Sequence, residues 1–267
     1  MRIALGIEYD GAPYCGWQSQ SNACGVQDYL EIAIKNIALH NIRLHAAGRT
    51  DTGVHGIMQV IHFDTETKRP SSAWVRGVNA FLPASIRVLW AKEVNDEFHA
   101  RFSATQRRYQ YLLINAAVAP AIQATKAGWY HLPLNISAMQ TAIKFLQGEH
   151  DFSAFRASEC QAKSPIKNLQ IATVKKTVKQ TVKQHGEQFM FEFAANAFLQ
   201  HQVRNMIGAL IYVGNGKYKP EYIKQLLSQK DRTLSPPTFS ANGLYLAGVQ
   251  YDEKFDLPNT QRSLGIV

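Results

Sequence analysis

Residues Ala46 to Gly56 combine an arginine and an aspartate with three glycines, in a stretch between two apolar segments. Glycines permit positive φ and close backbone approach, so a loop of this kind can aim Arg49 and Asp51 at one spot. Such a pair could support carboxylate chemistry beside a fixed positive charge. A surface turn without function is the alternative interpretation.

The triplet Asp51-Thr52-Gly53 also matches the aspartic-protease triplet. An enzyme of that class needs two carboxylates that share one proton, in surroundings that resist full ionisation. Here the triplet occurs once, and Arg49 would favour the ionised acid. The sequence therefore argues against a protease.

Metal and nucleotide cofactors are not predicted. Four histidines crowd into 23 residues, but their spacing matches no ligand pattern such as HExxH, and we expect strand histidines on a solvated face. Gly214-Asn-Gly216 is interpreted as a helix stop rather than a phosphate loop, because no strand precedes it and no GK[ST] follows. The four histidines are His40, His45, His55 and His62.

The composition is that of a soluble globular protein. The chain has 267 residues, 46% of them hydrophobic and 18% charged, enough for one large domain or two medium ones. No apolar run approaches the roughly 18 residues that span a bilayer, and residues 2–10 carry acids where a signal peptide needs an apolar core. Three cysteines without CxxC spacing predict a reduced compartment, so we expect a cytoplasmic protein without a membrane partner.

Positive charge is concentrated in one part of the chain. Residues 98–220 hold 15 Lys and Arg against 5 Asp and Glu, whereas the rest holds 14 against 15. Residues 98–148 have no carboxylate, and basic residues are interleaved with aromatic ones there, which is what phosphate neutralisation and base stacking would use. A solvated basic surface is the alternative. The side chains are Arg101, Arg107, Arg108, Lys126, Lys144, Tyr109, Tyr111, Trp129 and Tyr130.

Hydrophobic periodicity predicts two similar α/β halves, with a boundary near residue 105. The repeat-like run Thr173–Gln184 fits a strand or a helix; a solvated, lysine-lined β-ribbon is the first interpretation and RNA contact the second. Strands are predicted at 2–9, 58–63, 87–94, 107–115, 167–193 with a turn near 185–186, and 243–251. Helices are predicted at 26–39, from Ser71 or Ser72 to before Pro83, and at 137–147, 199–213 and 220–229.

Six ordered motifs resemble those of the TruA-type pseudouridine synthases, and together they cover nearly the whole chain, from Tyr9-Asp-Gly11 to about Tyr251. The signature is Gly48-Arg-Thr-Asp-Thr-Gly-Val-His55. The other motifs are Phe98-His-Ala-Arg-Phe-Ser103, Arg107-Arg-Tyr-Gln-Tyr111, Gly148-Glu-His-Asp-Phe152, Phe198-Leu-Gln-His-Gln-Val-Arg-Asn-Met-Ile-Gly208 and Gly243-Leu-Tyr-Leu246.

The resemblance implies an α+β fold whose two similar α/β halves, 1–105 and 106–267, have mixed, mainly antiparallel sheets flanked by helices and enclose a catalytic cleft. It implies isomerisation of uridine to pseudouridine at positions 38, 39 and 40 of the tRNA anticodon stem-loop, by a homodimer without cofactor or metal. Asp51 would be the catalytic carboxylate. Tyr109 would stack on or polarise the uracil, Arg204 would pair with Asp51, and Arg49 would help to displace the base.

These roles agree with elementary chemistry. A free carboxylate is ionised at neutral pH and can act as nucleophile or base without an activating histidine. Three actions remain open for Asp51: attack on ribose C1′, addition to the uracil ring, or removal of a ribose proton. A non-catalytic protein that binds structured RNA is the alternative function, but it would have no use for the set Asp51, Tyr109 and Arg204.

The sequence departs from the family pattern at two places. Gln202 replaces the usual methionine before Val203-Arg204, and Thr238–Asn242 lengthen the link to the last strand. The first could alter packing under Arg204 and the second a loop beside the site.

Overall fold

The computed structural model describes residues 1–177 and 186–265, which form two compact units. The first unit comprises Met1–Arg107 and Tyr245–Gly265, and the second comprises Arg108–Leu244. The expected division at residue 105 placed residues 245–265 in the second domain. In the structure they belong to the first unit, because the last strand returns to pair there.

The elements confirm the predicted class, a mixed α/β fold with sheets and flanking helices. In chain order they are β1 (Arg2–Tyr9), α1 (Val26–Ala38), β2 (His45–Ala46), β3 (His55–Asp64), a π-helical turn (Ala73–Gly77) that continues into α2 (Val78–Phe81), β4 (Ile86–Val94), β5 (Ala104–Asn115), β6 (Gly128–Tyr130), α3 (Ile136–Ile143), β7 (Gly148–Asp151), β8 (Ile166–Lys176), β9 (Glu187–Ala195), α4 (Gln202–Gly214), α5 (Tyr222–Gln229) and β10 (Leu244–Tyr251).

In the first unit, β1 lies between β4 and β3 and is antiparallel to both, and β10 joins the far side of β3 in parallel. The short β2 also pairs with β3. Apolar side chains of β1 and α1, such as Leu5 and Leu30, form one buried cluster with Trp74. At the start of α1 the Asp28 carboxylate accepts the N–H of Gly25 at 2.9 Å, which satisfies a backbone donor that the helix leaves unpaired.

In the second unit the strand order is β5-β9-β8-β7, and β6 pairs with β5 in parallel. Strands β7, β8 and β9 pair antiparallel. Alternate residues of β9, namely Phe189, Phe191 and Phe193, are fully buried, which is the period of two that a strand with one core face requires. Their rings form much of this unit's core.

Most predicted elements are present, and their ends shift by a few residues. Helix α4 begins at Gln202 rather than 199, because His201 adopts a left-handed conformation with φ of 62°. The short strands β6 and β7 were not predicted. Of the run Thr173–Gln184, the part up to Lys176 belongs to β8, and the part from residue 178 onward lies outside the described residues. Within the described chain, no helix combines the length and apolar character needed to cross a bilayer.

The cysteines differ from expectation. The chain doubles back after β1, so that the N–H of Cys15 donates to the carbonyl of Cys24 at 3.0 Å and the two Cα atoms lie 5.4 Å apart. The structure joins Cys15 and Cys24 by a disulfide, while Cys160 is a buried free thiol. The expectation of three reduced cysteines is therefore not met at this pair, which is close only because of a backbone turn that cysteine counting does not reveal.

Candidate active site

The loop that carries Asp51 is anchored at both of its ends in the first unit. At its start the N–H of Ala47 donates to Val60 O at 2.9 Å, and the Gln59 side chain donates to Gly48 O at 2.7 Å. At its end a turn closes between Asp51 O and the N–H of Val54 at 3.1 Å. Arg49 is exposed and Asp51 is half-buried. The loop thus presents both charged side chains from a fixed backbone.

A second layer supports this loop from beneath. The Trp17 N–H donates to Thr50 O at 3.0 Å, and the hydroxyls of Tyr9 and Thr50 share a hydrogen bond of 2.8 Å. Gly16 has φ of +95°, and a Cβ there would lie 2.8 Å from Thr50 O, so only glycine allows this close approach. These residues fix the backbone directly before Asp51. Gly16 and Trp17 are not among the predicted site residues, and their adjacency, shortly after the Tyr9-Asp-Gly11 motif, is the signal in the sequence that points to them.

His55 lies at the end of the same loop. Its Nδ1 atom is 3.0 Å from Asp10 Oδ1 and 3.0 Å from the Gly11 nitrogen, and its ring stacks on Tyr245 at 4.7 Å between centroids. The predicted solvated location of the histidines is correct for His45 but wrong for His55, which is 2% exposed, and for His62, which is 1% exposed. The sequence alternation of β3 does not show that both of its faces are covered.

Three histidine rings meet at one end of the first unit's sheet. His62 contacts His99 and His45, with centroids 4.6 and 4.9 Å away, and its Nδ1 accepts the N–H of Ala100 at 3.1 Å. Burial, with the positive charges of the two neighbouring imidazoles and Arg2, lowers the pKa of His62 from 6.5 to about 3. No group of three or more His, Cys, Asp or Glu in the described part of the chain is arranged to hold a metal ion.

Acidification is expected to destabilise the protein through His62. The folded protein protonates His62 only near pH 3, whereas the unfolded chain does so near pH 6.5. The unfolded state therefore binds more protons between these values, and stability falls as the pH falls through that window. We expect the melting temperature to drop less between pH 7 and pH 4.5 in His62→Asn, whose amide oxygen can still accept the Ala100 N–H.

The matched control is His131→Asn, since His131 is exposed in the second unit. Thermal unfolding monitored by circular dichroism at the two pH values measures the effect. Equal drops in wild type and His62→Asn would contradict the assignment.

Tyr109 lies on β5 in the second unit and is 9% exposed. Its ring meets the edge of Phe198 at 5.1 Å between centroids, shortly before α4. The residue therefore offers a largely covered ring with a fixed orientation, which suits stacking against a planar base.

The basic side chains next to Tyr109 are already engaged. Arg108 forms a bidentate ion pair with Glu192 on β9, with N–O distances of 2.8 and 3.0 Å, and this pair lowers the pKa of Glu192. Arg107 donates to the backbone carbonyls of Ala47 and Ala104. Within the carboxylate-free segment the prediction of phosphate contacts therefore fits the exposed Arg101 and Lys144 better than this pair.

Arg204 is half-buried on α4, and its Nε donates to Phe239 O at 2.9 Å. The guanidinium is thus held against the loop that precedes β10 rather than extended into solvent. Arg232 supports the same loop by donating to the hydroxyl of Thr238 and the amide oxygen of Asn205, each at 3.2 Å. The inserted residues 238–242 are therefore part of the support of Arg204.

Gln202 is fully buried on α4, two residues before Arg204. Its Oε1 accepts the N–H of Leu199 at 2.8 Å, where the thioether of methionine would be only a weak acceptor, and it thereby ties the residues before α4 to the helix. Among the described residues its Nε2 has no hydrogen-bond partner. This departure from the family pattern lies in the support of α4 and not in a charged group.

The four predicted site residues are divided between the two units. Arg49 and Asp51 share one loop in the first unit, whereas Tyr109 and Arg204 belong to the second, where Phe198 links the Tyr109 ring to the start of α4. Each lies in a supported position rather than on an unanchored surface segment.

A family model described as tRNA pseudouridine synthase matches residues 6–103 and 142–252. The chain belongs to this family. A relative from Methylobacillus flagellatus, named tRNA pseudouridine synthase A, is 60% identical over 266 residues and covers 100% of this chain and 99% of its own. Relatives of the same name from Nitrosomonas eutropha and Nitrosomonas europaea are 56% and 50% identical; they cover 97% and 100% of this chain, and 90% and 96% of their own.

Membership in the tRNA pseudouridine synthase family, a family of isomerases, confirms the resemblance drawn from the six motifs. Arg49 and Asp51 lie in the first matched segment, and Arg204 lies in the second. Tyr109 falls between the two matched segments, so its role rests on the Arg107–Tyr111 motif and on its packing.

Proposed function

We propose that this chain isomerises uridine to pseudouridine in the anticodon stem-loop of tRNA, at positions 38, 39 and 40. The observation that carries the proposal is the Asp51 loop: a half-buried carboxylate and an exposed arginine two residues apart, on a backbone fixed from both ends and from beneath. The names of the close relatives support the tRNA substrate.

The reaction breaks the bond between ribose C1′ and uracil N1 and forms a bond between C1′ and C5. N1 gains a proton and C5 loses one, so atoms and electrons balance without a cofactor or a metal. We assign the catalytic carboxylate to Asp51. Its three possible actions, attack on C1′, addition to the ring or removal of a ribose proton, are all open to an ionised carboxylate.

The other residues would handle the base. The uridine must leave the helical stack before a side chain can reach its sugar, at a cost of a few kcal/mol. Arg49, exposed at the tip of the loop, would fill the gap that the base leaves, and the covered ring of Tyr109 would stack on the uracil. Arg204 would pair with Asp51, because a guanidinium fork can fix the plane of a carboxylate.

The working state would be a cytoplasmic homodimer that binds tRNA and no nucleotide cofactor. The homodimer and the lack of a nucleotide cofactor are what the family resemblance implies, and the basic segment 98–220 supports tRNA binding. Sedimentation of the purified protein at micromolar concentration would test the dimer, and a monomer would contradict it.

The decisive experiment is incubation of the protein with unmodified tRNA transcripts, followed by mapping of pseudouridine. We expect modification at uridines 38, 39 and 40, and no modification at a position where the transcript carries cytidine instead. Tight tRNA binding without any pseudouridine would instead support a non-catalytic RNA-binding protein.

A further inference from the structure

The turn Phe98–Ser103 of the first unit exposes an aromatic ring. Phe102 is 76% exposed, and the preceding Arg101 is exposed beside it. An isolated exposed apolar side chain is ordinary on a protein surface, so exposure alone carries no conclusion. The surroundings of this ring distinguish it from the other exposed apolar residues.

The backbone of the turn is fixed at successive residues. His99 Nδ1 accepts the N–H groups of Arg101 and Phe102 at 3.1 and 3.3 Å, and the Ser103 N–H donates to His99 O at 2.9 Å. The Tyr251 hydroxyl donates to Ala100 O at 2.7 Å. Little backbone freedom is left to lose when a partner binds, which is the condition for a preorganised contact.

One face of the Phe102 ring is backed by the protein. The His99 imidazole lies 4.3 Å from it between centroids and is itself packed against the buried His62. The Arg101 guanidinium carbon lies 5.6 Å from the centroid of the Phe102 ring. A supported aromatic ring with a cation beside it is the arrangement that proteins use to stack an unpaired base and contact its phosphate.

The same turn is tied to the loop that carries Asp51. The Arg107 guanidinium donates to Arg101 O and, through Nε and Nη2, to Ala47 O at 3.3 and 3.1 Å. Ala47 is the residue where the Asp51 loop begins. Phe102 is therefore displayed by a segment that shares an anchor with the proposed catalytic carboxylate, all within one unit.

We propose that Phe102 and Arg101 form a stacking site for an unpaired base of the RNA substrate, next to the target uridine. RNA is favoured as the occupant because residues 98–148 contain no carboxylate, and because the carboxylate of the adjacent Glu97 is paired with the Lys254 ammonium at 3.3 Å. An acidic protein surface could pair only with Arg101, whereas a nucleotide could stack its base on the Phe102 ring and pair its phosphate with Arg101. The inference rests on the proposed function and adds a binding residue to it.

The test compares Phe102→Ala, Phe102→Trp and Phe81→Ala. Phe81 is the matched control, since it is 55% exposed in the same unit but lies at the end of α2. The dissociation constant for a tRNA transcript is measured by fluorescence anisotropy. We expect Phe102→Ala to weaken binding about tenfold, Phe102→Trp to restore it, and Phe81→Ala to stay within about twofold of wild type. Arg101→Ala should lower the slope of log affinity against log salt by about one.

Wild-type affinity in Phe102→Ala would overturn the stacking site. A loss of affinity that accompanies a changed sedimentation coefficient would also overturn it, because the ring would then belong to an interface between two copies of the chain. Failure of the proposed function is distinguishable: wild type would produce no pseudouridine while the difference in affinity between Phe102→Ala and Phe81→Ala remained.

Discussion

Asp51→Asn is expected to abolish pseudouridine formation while leaving tRNA binding within about tenfold of wild type. Asparagine keeps the shape of the side chain but removes the charge that a nucleophile or base requires, so the loss of turnover should reach about 10⁴-fold or more. The substitution leaves in place the backbone hydrogen bonds of the loop and the anchors from the side chains of Gln59, Tyr9 and Thr50, so a large shift of the loop is not expected. Single-turnover rates on a tRNA transcript, with affinity measured in parallel, provide the measurement.

Asp96→Asn is the matched control, since Asp96 is an exposed aspartate of the same unit whose carboxylate has no assigned role. It should retain wild-type turnover and melting temperature. Turnover close to wild type in Asp51→Asn would show that Asp51 is neither the nucleophile nor the base of the reaction.

Tyr109→Ala is expected to have the second largest effect, a loss of about 10- to 100-fold in the single-turnover rate, because base stacking on an aromatic side chain contributes roughly 1–3 kcal/mol. The substitution also leaves a cavity beside Phe198, so the melting temperature must be measured with the rate. Tyr109→Phe keeps the ring and removes only the hydroxyl. If the residue stacks, the phenylalanine variant retains most activity; if its hydroxyl moves a proton, it fails as well.

Tyr111→Phe supplies the control for Tyr109→Phe. It removes another hydroxyl from β5, one that donates to Ser240 O at 2.9 Å on the loop before β10. We expect a lower melting temperature and, because Ser240 lies in the loop that supports Arg204, only a small loss of rate, so that a larger loss in Tyr109→Phe would report the Tyr109 hydroxyl itself. Wild-type rates in both Tyr109 variants would show that Tyr109 has only a packing role in the core and does not contact the substrate.

The sequence predicted those elements whose pattern repeats locally. The spacing of apolar residues predicted the helix α1 and the strands β1 and β4, and the predicted ends lie within about two residues of the observed ones. The Asp51 loop was predictable for another reason: its glycines and charges are close in sequence, and the six ordered motifs gave the family. The features that could be predicted are therefore those encoded by short, contiguous segments of the sequence.

The remaining features depend on contacts between distant residues. The burial of His62 requires the turn around His99 to pack against β3, and the proximity of Cys15 and Cys24 requires a reversal of the chain. The composition of its segment suggested that Arg107 contacts RNA. In the structure its guanidinium donates to the carbonyl of Ala47, which lies 60 residues away in the sequence. The composition of a segment shows the charge of such a residue but not the backbone carbonyls to which it donates hydrogen bonds.

The return of β10 to the first unit makes the second unit an insertion. Residues Arg108–Leu244 form one continuous segment, and near its two ends the N–H of Leu112 donates to Gly243 O at 2.9 Å. During synthesis this inserted segment leaves the ribosome complete before the first unit has received its final strand. A nascent chain stopped before Tyr245 would expose the edge of β3, beside the Asp51 loop, to pairing with other chains. The proposed catalytic loop, although encoded in the first fifth of the chain, would thus gain its finished support last.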